Sequence, residues 1–354
     1  MKVLVAMSGG VDSSVAAALM LEAGHEVIGV TLKQWEGPDG EMPTAGCCTV
    51  ADAEDARRVS AQLDIPYYML DYTDEFRTKV IDRFGADYLA GRTPNPCIEC
   101  NRRVRFSALL ERSAALGCEA LVTGHHARVR RQPEGYRLFA GHDTGKDQSY
   151  VLHMLGQEEL ARVLLPIGEL TKDEVRAKAG SLGLRTASKP DSQDICFVTS
   201  GDYRDFLREH FPESTRPGDI VDSEGAVVGS HEGSSGFTIG QRRGLGISAT
   251  EPRYVVDIQP ATATIVVGTR DQLAVAGVTV AEVSWVSGEA PTQPAVDIKV
   301  RYRSRPVAAL IEGEGADWTA WFEGESAAPG QAAVFYDGDE VLGGGTITEV
   351  IRNG

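Results

Sequence analysis

Residues 7–14 read Met-Ser-Gly-Gly-Val-Asp-Ser-Ser and follow directly on the apolar run Val3-Leu-Val-Ala6. A buried strand ending in a glycine-rich turn, with a helix starting at paired serines, suits phosphate binding. Glycines let the backbone approach a ligand closely. A helix start offers unpaired N–H groups and the positive end of a dipole. The loop is not of the Walker type, because the chain contains no G-x-x-x-x-G-K-[ST]. The bland alternative is an ordinary strand-turn-helix of small residues; the strand before and the helix after favour the phosphate reading.

Sulfur supplies the second chemistry. Cysteines stand at 47, 48, 97, 100, 118 and 196. In a long chain without a secretion signal they read as thiols or metal ligands rather than as a disulfide framework. Cys97 and Cys100 form a C-x-x-C within Thr93-Pro-Asn-Pro-Cys97-Ile-Glu-Cys100-Asn-Arg-Arg-Val-Arg-Phe106. A helix start and neighbouring arginines both favour thiolate, which is nucleophile and metal ligand alike. Alone, the motif leaves redox, zinc and iron–sulfur roles open. Cys196, between Ile195 and Phe197, would by itself read as a buried core residue. Cys47, Cys48 and Cys118 read as structural.

These groups need a frame. Strands are expected at Val3–Ala6, Val27–Leu32, Tyr67–Leu70 and Ala120–Thr123, and helices at Ser13–Ala23, Ala51–Leu63, Glu75–Ala90 and Arg103–Leu116. That alternation predicts an α/β doubly wound parallel sheet, with ligands beyond the carboxyl ends of the strands. Thr171-Lys-Asp-Glu174 is a capping box that starts a further helix. Past residue 200, segments 254–267, 278–286, 295–312, 317–323 and 331–351 read as strands. Asp222-Ser-Glu-Gly225 and Asp337-Gly338 read as hairpin turns. Three parts are expected: a catalytic domain at 1–200, a small connecting module at 201–275, and a C-terminal β-barrel at 276–354. Trp285, Trp318 and Trp321 are expected in the barrel core, and 35–46 as a Gly/Pro-rich loop near the site.

The net charge of −16 argues against nonspecific nucleic-acid binding. Its distribution is uneven: residues 97–137 hold eight arginines against four glutamates. Lys299, Arg301, Arg303 and Arg305 alternate, which on a strand puts them on one face. Such a stripe can meet phosphates or simply be solvated. No apolar run reaches the roughly 18 residues of a membrane span. The stretch before Ser8 is too short for a signal-peptide core, so a cytoplasmic location is expected.

Taken together, the chain resembles the tRNA-specific 2-thiouridylases (MnmA/TrmU type) of the ATP-pyrophosphatase superfamily over essentially its full length. The matching motifs are Ser8-Gly-Gly-Val-Asp-Ser-Ser14, Gly91-Arg-Thr-Pro-Asn-Pro96, Cys100-Asn101 and Thr123-Gly-His125. Lys146-Asp-Gln-Ser-Tyr150, Asp191-Ser192 with Ile195-Cys196-Phe197, Gly240-Gln-Arg-Arg-Gly-Leu-Gly246 and Leu342-Gly-Gly-Gly345 complete the set.

The resemblance implies ATP-dependent 2-thiolation of a tRNA wobble uridine, an adenine nucleotide α-hydrolase-like fold, and Mg²⁺ with the ATP. It carries ATP contacts onto Ala6, Met7, Ser8, Gly9, Gly10, Val11, Asp12, Ser13, Leu32 and Gly124, with Asp12 ordering the loop or its Mg²⁺. It gives Cys196 a persulfide received from a cysteine desulfurase or relay protein. Cys100 becomes the nucleophile that releases the sulfur, leaving a transient Cys100–Cys196 disulfide. Asn95, Pro96 and Cys97 would line the pocket for an extruded base. His125, Lys146, Asp147, Gln148, Arg301, Tyr302 and Gln331 would contact tRNA. Many members of the family carry aspartate where this chain has Cys97. Cys97, Cys100 and Cys196 could therefore hold a 4Fe–4S cluster with one open iron, the alternative being Cys97 as a further redox thiol. A zinc lacks an obvious fourth ligand. Another adenylating ligase would share the loop, but it would not explain Cys100 with Cys196 or the barrel. A non-enzymatic tRNA-binding module would not need the loop intact.

Overall fold

Short aliphatic runs become strands and amphipathic or all-apolar stretches become the helices that cover them. The computed structural model describes residues 1–36, 49–191, 195–198, 202–324 and 326–352. In the first half the strands are β1 (Lys2–Ala6), β2 (Glu26–Lys33), β3 (Tyr67–Asp71), β4 (Ala120–Val122), β5 (Ala127–Gln132), β6 (Gly135–Ala140) and β7 (Val163–Leu164). A parallel sheet runs in the order β3-β2-β1-β4-β7. Val3, Leu4 and Val5 of β1 have no exposed surface. Leu4 packs into one core, while Val3 and Val5 pack into another on the opposite face. That is the alternation a two-sided sheet imposes.

Helices α1 (Val11–Glu22) and α2 (Val50–Gln62) lie within two residues of their expected bounds. The next two begin earlier than expected. Helix 73–89 contains a widened turn at Arg77–Ile81, and helix 96–115 contains another at Asn101–Ala108. The second begins early because Asn95 caps it and Pro96 occupies its first position, where a missing N–H costs nothing. The expected box at Thr171 and Glu174 caps Lys172–Ser181.

The connecting module folds β8 (Gly218–Asp222), β9 (Val227–His231), β10 (Tyr254–Gln259) and β11 (Thr264–Gly268) in the order β10-β11-β8-β9. Strands β12 (Val275–Trp285), β13 (Ala295–Lys299), β14 (Val307–Glu314), β15 (Asp317–Gly324), β16 (Ala332–Asp337) and β17 (Glu340–Arg352) follow. They close an antiparallel barrel through β12-β15-β14-β13-β16-β17 and back to β12. Val278, Val280, Ile298, Ala320, Phe335 and Ile347 fill it. Both expected hairpin turns are present, between β8 and β9 and between β16 and β17.

Segment 254–267, expected as one strand, is the antiparallel pair β10 and β11, and three further differences stand out. Segment 295–312 is not one strand. Only Lys299 of the basic stripe lies on β13, and the chain then turns, with the Arg301 carbonyl accepting from Ser304 N (3.1 Å) and Oγ (2.8 Å). Arg301, Arg303 and Arg305 therefore share no strand face. Trp321 is 41% exposed rather than core, because its neighbours Ala320 and Phe322 take the inward positions of β15. Trp285 and Trp318 do pack, edge to face at 5.0 Å. Lastly, the polar, arginine-rich segment 127–140 forms the unanticipated hairpin β5–β6. Its Leu138 and Phe139 pair with Val341 and Glu340, adding two strands from the first half to the barrel's sheet.

Among the described residues no helix is long and apolar enough to cross a membrane. Cys47, Cys48, Ser192 and most of the 35–46 loop lie outside the described residues.

Candidate active site

The strand order reverses at β1, whose neighbours are β2 and β4. Ligands bind at such a switch point, and a cavity of about 960 Å³ opens there. Ala6, Met7, Ser8, Gly10, Val11, Asp12 and Ser13 line it from β1 and its loop. Leu32 comes from β2 and Gly124 from the turn after β4. Gly9 is not on the lining. It has φ +72°, and a Cβ there would stand 2.1 Å from the Asp52 carbonyl oxygen. A Cβ at Gly124 would meet Ser13 N at 2.6 Å. Both glycines let backbone strands of the site close on one another.

The N-cap of α1 is Gly10, which has no side chain to bond the first-turn N–H groups. Ser13 Oγ accepts from Ser8 N at 3.1 Å, and Ser14 Oγ donates to the Gly10 carbonyl at 2.7 Å, fixing the turn. Asp12 on that first turn would repel an anion, but it is neutralised. Lys172 Nζ reaches its two oxygens at 2.8 and 2.7 Å, and His126 Nε2 stands 3.2 Å away. Burial disfavours the Asp12 charge, yet the bonds from His126 and Lys172 outweigh it and hold the carboxyl below its usual range.

The same lysine reaches Asp191 at 2.8 Å; Lys146 (2.6 Å) and Arg176 (2.9 Å) bind that carboxylate too. Despite burial, the two lysines lower Asp191 to about 2. Lys189 makes a parallel knot: its Nζ donates to the Gly9 carbonyl (3.0 Å), Asp52 (2.7 Å) and Asp55 (2.7 Å). Lys172 and Lys189 line the cavity. Both ends of this ionic frame bear on the phosphate-type loop and on the segment leading to Cys196. Sequence reasoning singled out neither lysine. Lys172 sat inside a capping box, and pattern gives no sign that its side chain turns toward a distant loop.

Cys97 and Cys100 share the first turn of helix 96–115 at different depths: Cys97 is exposed, Cys100 only 6% exposed. Gln34, just past β2, donates its side-chain N–H to the Cys100 sulfur at 3.3 Å. Gln34 also lines the cavity, so it joins the thiol to the loop region. Cys196 packs against the same apolar core as Cys100. The next residue, Phe197, is its anchor, with ring contacts to Phe84 (5.1 Å), Phe206 (5.0 Å) and Phe76 (5.8 Å). None of the described cysteines is in a disulfide. Among the described residues no three His, Cys, Asp or Glu side chains converge as a metal ligand set. Cys97, Cys100 and Cys196 belong to no such set among the described residues, and they lie at different depths: Cys97 exposed, Cys196 partly exposed, Cys100 buried. Cys118 is buried, which pushes its thiol up.

The residues expected at tRNA divide between two hollows. His125, Lys146, Asp147, Gln148 and Tyr302 line the first cavity, joined there by Lys299, Arg303 and Arg305. Several are held internally. Gln148 Oε1 accepts from His126 N at 2.9 Å, and Asp147 accepts from Gly141 N (3.1 Å) and Ser149 N (3.0 Å). His125 Nδ1 pairs with Thr123 Oγ1 at 2.7 Å; burial and then Arg105 lower its pKa to about 3, so it is neutral. Tyr302 donates to the Asp147 carbonyl at 3.2 Å, and burial, then Asp147 and Cys97, raise its pKa. Arg301 and Gln331 line a second hollow of about 810 Å³ instead, beside Thr93, Arg204, Arg242 and Arg243. Gln331 Nε2 donates to the Thr93 carbonyl at 2.8 Å, tying the barrel to the 93–97 turn. Asn95 Oδ1 caps that turn at Cys97 N, 3.1 Å. Pro96 is buried at its start.

Three family models match successive stretches of the chain. Residues 1–200 match the model of the tRNA methyl transferase HUP domain, 204–269 that of the tRNA methyl transferase PRC-barrel domain, and 275–347 that of the aminomethyltransferase beta-barrel domain. The chain is 49% identical to the tRNA-specific 2-thiouridylase MnmA of Roseiflexus sp. (strain RS-1), over 98% of this chain and 99% of the relative. It is 50% identical to the protein of that name from Chloroflexus aurantiacus, over 98% of each. A solved 4-thiouridine synthetase–RNA complex with bound ATP aligns at 19% identity and a TM-score of 0.36, over 60% of this chain and 50% of that one. That likeness is too distant to carry an argument.

Proposed function

The chain belongs to the tRNA-specific 2-thiouridylase family, and from that premise we propose that it is an ATP-dependent tRNA uridine 2-sulfurtransferase working in the cavity at β1. The observation that carries the reading is the continuity of that cavity. One hollow contains both the glycine-rich loop at 8–14 and Gln34, whose amide holds the Cys100 sulfur. Gln34 thus connects the nucleotide-activating end of the cavity to the Cys100 thiol behind its wall.

The carbonyl carbon C2 of uridine is a poor electrophile. Attack of its oxygen on the α-phosphorus of ATP expels pyrophosphate and leaves AMP as a good leaving group. In this scheme the first-turn N–H groups of α1 cradle phosphate, while Lys172 and Lys189 supply positive charge at the loop. Asp12 and Asp191 position Lys172, and Asp52 and Asp55 position Lys189. Mg²⁺ enters with the ATP phosphates and offsets their charge when bound. The adenine end falls to the backbone at Ala6, Leu32 and Gly124.

Cys196 receives the outer sulfur as a persulfide from a desulfurase or relay protein. The Cys100 thiolate attacks the Cys196 sulfur, and the bond to the outer sulfur breaks. That sulfur passes to C2, from which AMP departs, and a Cys100–Cys196 disulfide remains. We favour this persulfide route over a cluster-bound sulfide because Cys97 and Cys100 lie at different depths. The extruded base is assigned to the 95–97 turn. Arg301 and Gln331, with Arg242 and Arg243, form a second contact surface for the tRNA backbone. The three parts, 1–200, 201–275 and 276–354, divide the work into chemistry, connection and tRNA contact. A reduced-thiol compartment, the cytoplasm, suits such chemistry.

Mass spectrometry of nucleosides tests the reading. Unmodified tRNA incubated anaerobically with the protein, Mg-ATP and a persulfide source is expected to yield 2-thiouridine only with ATP, and none with Cys100→Ser. AMP release without a thiolated nucleoside would overturn it.

A further inference from the structure

We propose that Cys97 resolves the disulfide left by each turnover, by passing it to the protein surface; this rests on the two-thiol reading above. Cys100 is 6% exposed and packs on the same core as the partly exposed Cys196. In a bond between those two sulfurs the Cys100 side is closed to an external reductant, which must approach a sulfur to attack it. Cys97 sits three residues earlier on the same helical turn and is exposed.

The geometry favours exchange. Positions i and i+3 of a helix are neighbours, with Cβ atoms about 5–6 Å apart. A disulfide needs its Cβ atoms roughly 3.5–4.5 Å apart, so a Cys97–Cys100 bond draws them together by roughly 1–2 Å, a local adjustment of the helix's first turn. The turn is held in place from outside the cysteines. Asn95 caps it at Cys97 N, and Gln331 grips the Thr93 carbonyl before it. The Cys97 thiol therefore joins the buried Cys100 turn to the protein surface.

The step balances without an added oxidant. The Cys97 thiolate attacks the Cys100 sulfur, a Cys97–Cys100 bond forms, the Cys100–Cys196 bond breaks, and Cys196 leaves with the electron pair as a thiolate. The proton given up by Cys97 is matched by the one Cys196 takes. The oxidation level came from the persulfide and is unchanged. Cys196 is then ready for the next sulfur while a dithiol protein reduces the surface bond. An aspartate at position 97 cannot do this, so the step belongs to chains with a cysteine there.

Disulfide mapping after one turnover tests it. Full-length protein carrying a persulfide is given Mg-ATP and unmodified tRNA without reductant, then quenched in acid, alkylated and digested. The wild type is expected to carry Cys97–Cys100, with Cys196 alkylated. Cys97→Ser and Cys97→Asp are expected to retain Cys100–Cys196, which thioredoxin should reduce at least ten-fold more slowly than the wild-type bond. A wild-type Cys100–Cys196 bond that persists overturns the role of Cys97 and leaves the two-thiol reading standing. Thiolated tRNA with no protein disulfide in any form overturns both.

Discussion

The side-chain amide of Gln34 donates to the sulfur of Cys100 across 3.3 Å, in a buried contact that joins the end of β2 to the first turn of helix 96–115. A hydrogen bond to a sulfur counts most when that sulfur is charged. Gln34→Leu is expected to slow alkylation of Cys100 at fixed pH by at least about ten-fold, taking about 1.5 kcal/mol, the low end for a bond to a charged group. Gln34→Glu is expected to slow it further by repulsion. Iodoacetamide labelling read by peptide mass spectrometry checks this; an unchanged rate in Gln34→Leu would show that the contact does not tune the thiol.

Lys172 is 7% exposed and neutralises two carboxylates, Asp12 and Asp191, one on the loop helix and one before Cys196. Removing the cation leaves Asp12, among the described residues, with only His126 as a partner beside the phosphate position, while Asp191 keeps Lys146 and Arg176. Lys172→Met is expected to weaken ATP binding by at least ten-fold, measured by calorimetry, while Lys172→Arg retains part of it. The double variant Lys172→Met with Asp12→Asn is expected to bind better than Lys172→Met alone, because the repulsion is gone. Equal ATP affinity in wild type and Lys172→Met would remove the lysine from the phosphate site.

Acid should destabilise the fold through buried neutral histidines before it touches these carboxylates. Burial lowers His125 to about 3 and His153 to about 4, against 6.5 when unfolded. The unfolded chain then binds protons that the folded chain refuses. Stability is complete above pH about 6.5 and falls toward the folded values. The loss is roughly 2 kcal/mol per histidine between pH 6.5 and 5. Asp12 and Asp191 act in the opposite sense, their lowered values adding stability that fades only below about pH 4. Urea unfolding at several pH values should show the decline, and His153→Leu should flatten it. A flat profile in the wild type would contradict the buried, neutral state.

The sheet and the loop were legible because each rests on local signals: apolar runs of strand length, glycines at a turn, a capping box. The short β7 and the hairpin β5–β6 left no such signal. Segment 127–132 reads Ala-Arg-Val-Arg-Arg-Gln, and it becomes a strand because the hairpin it forms with β6 finds a partner edge at β17. Cys100 and Cys196 were marked by residue type, but Gln34, Lys172 and Lys189 act through contacts spanning 66, 160 and 180 residues. No periodicity encodes such pairings. The basic stripe failed for a related reason: alternation predicts a strand face only while the chain stays extended, and here it turns after Lys299.

That turn separates the four cations by role and gives a prediction for tRNA. Lys299 is 15% exposed at its side chain, stands 3.4 Å from Asp147 and lies over the Tyr336 ring at 5.1 Å, so it is part of the cavity wall. Arg301 instead faces the second hollow with Arg242 and Arg243. A phosphate contact contributes through counterion release, at roughly 0.7–0.9 of a unit of salt slope per neutralised phosphate. Arg301→Ala is expected to weaken tRNA binding and reduce the slope of log affinity against log salt by about one unit. Arg242→Ala combined with Arg243→Ala should reduce it by about two. Lys299→Ala should leave the slope near its wild-type value and lower thermal stability, because its charge is spent inside the protein. Filter binding of unmodified tRNA over a salt series distinguishes the two patterns. A slope change for Lys299→Ala and none for Arg301→Ala would move the tRNA backbone from the second hollow to the mouth of the first.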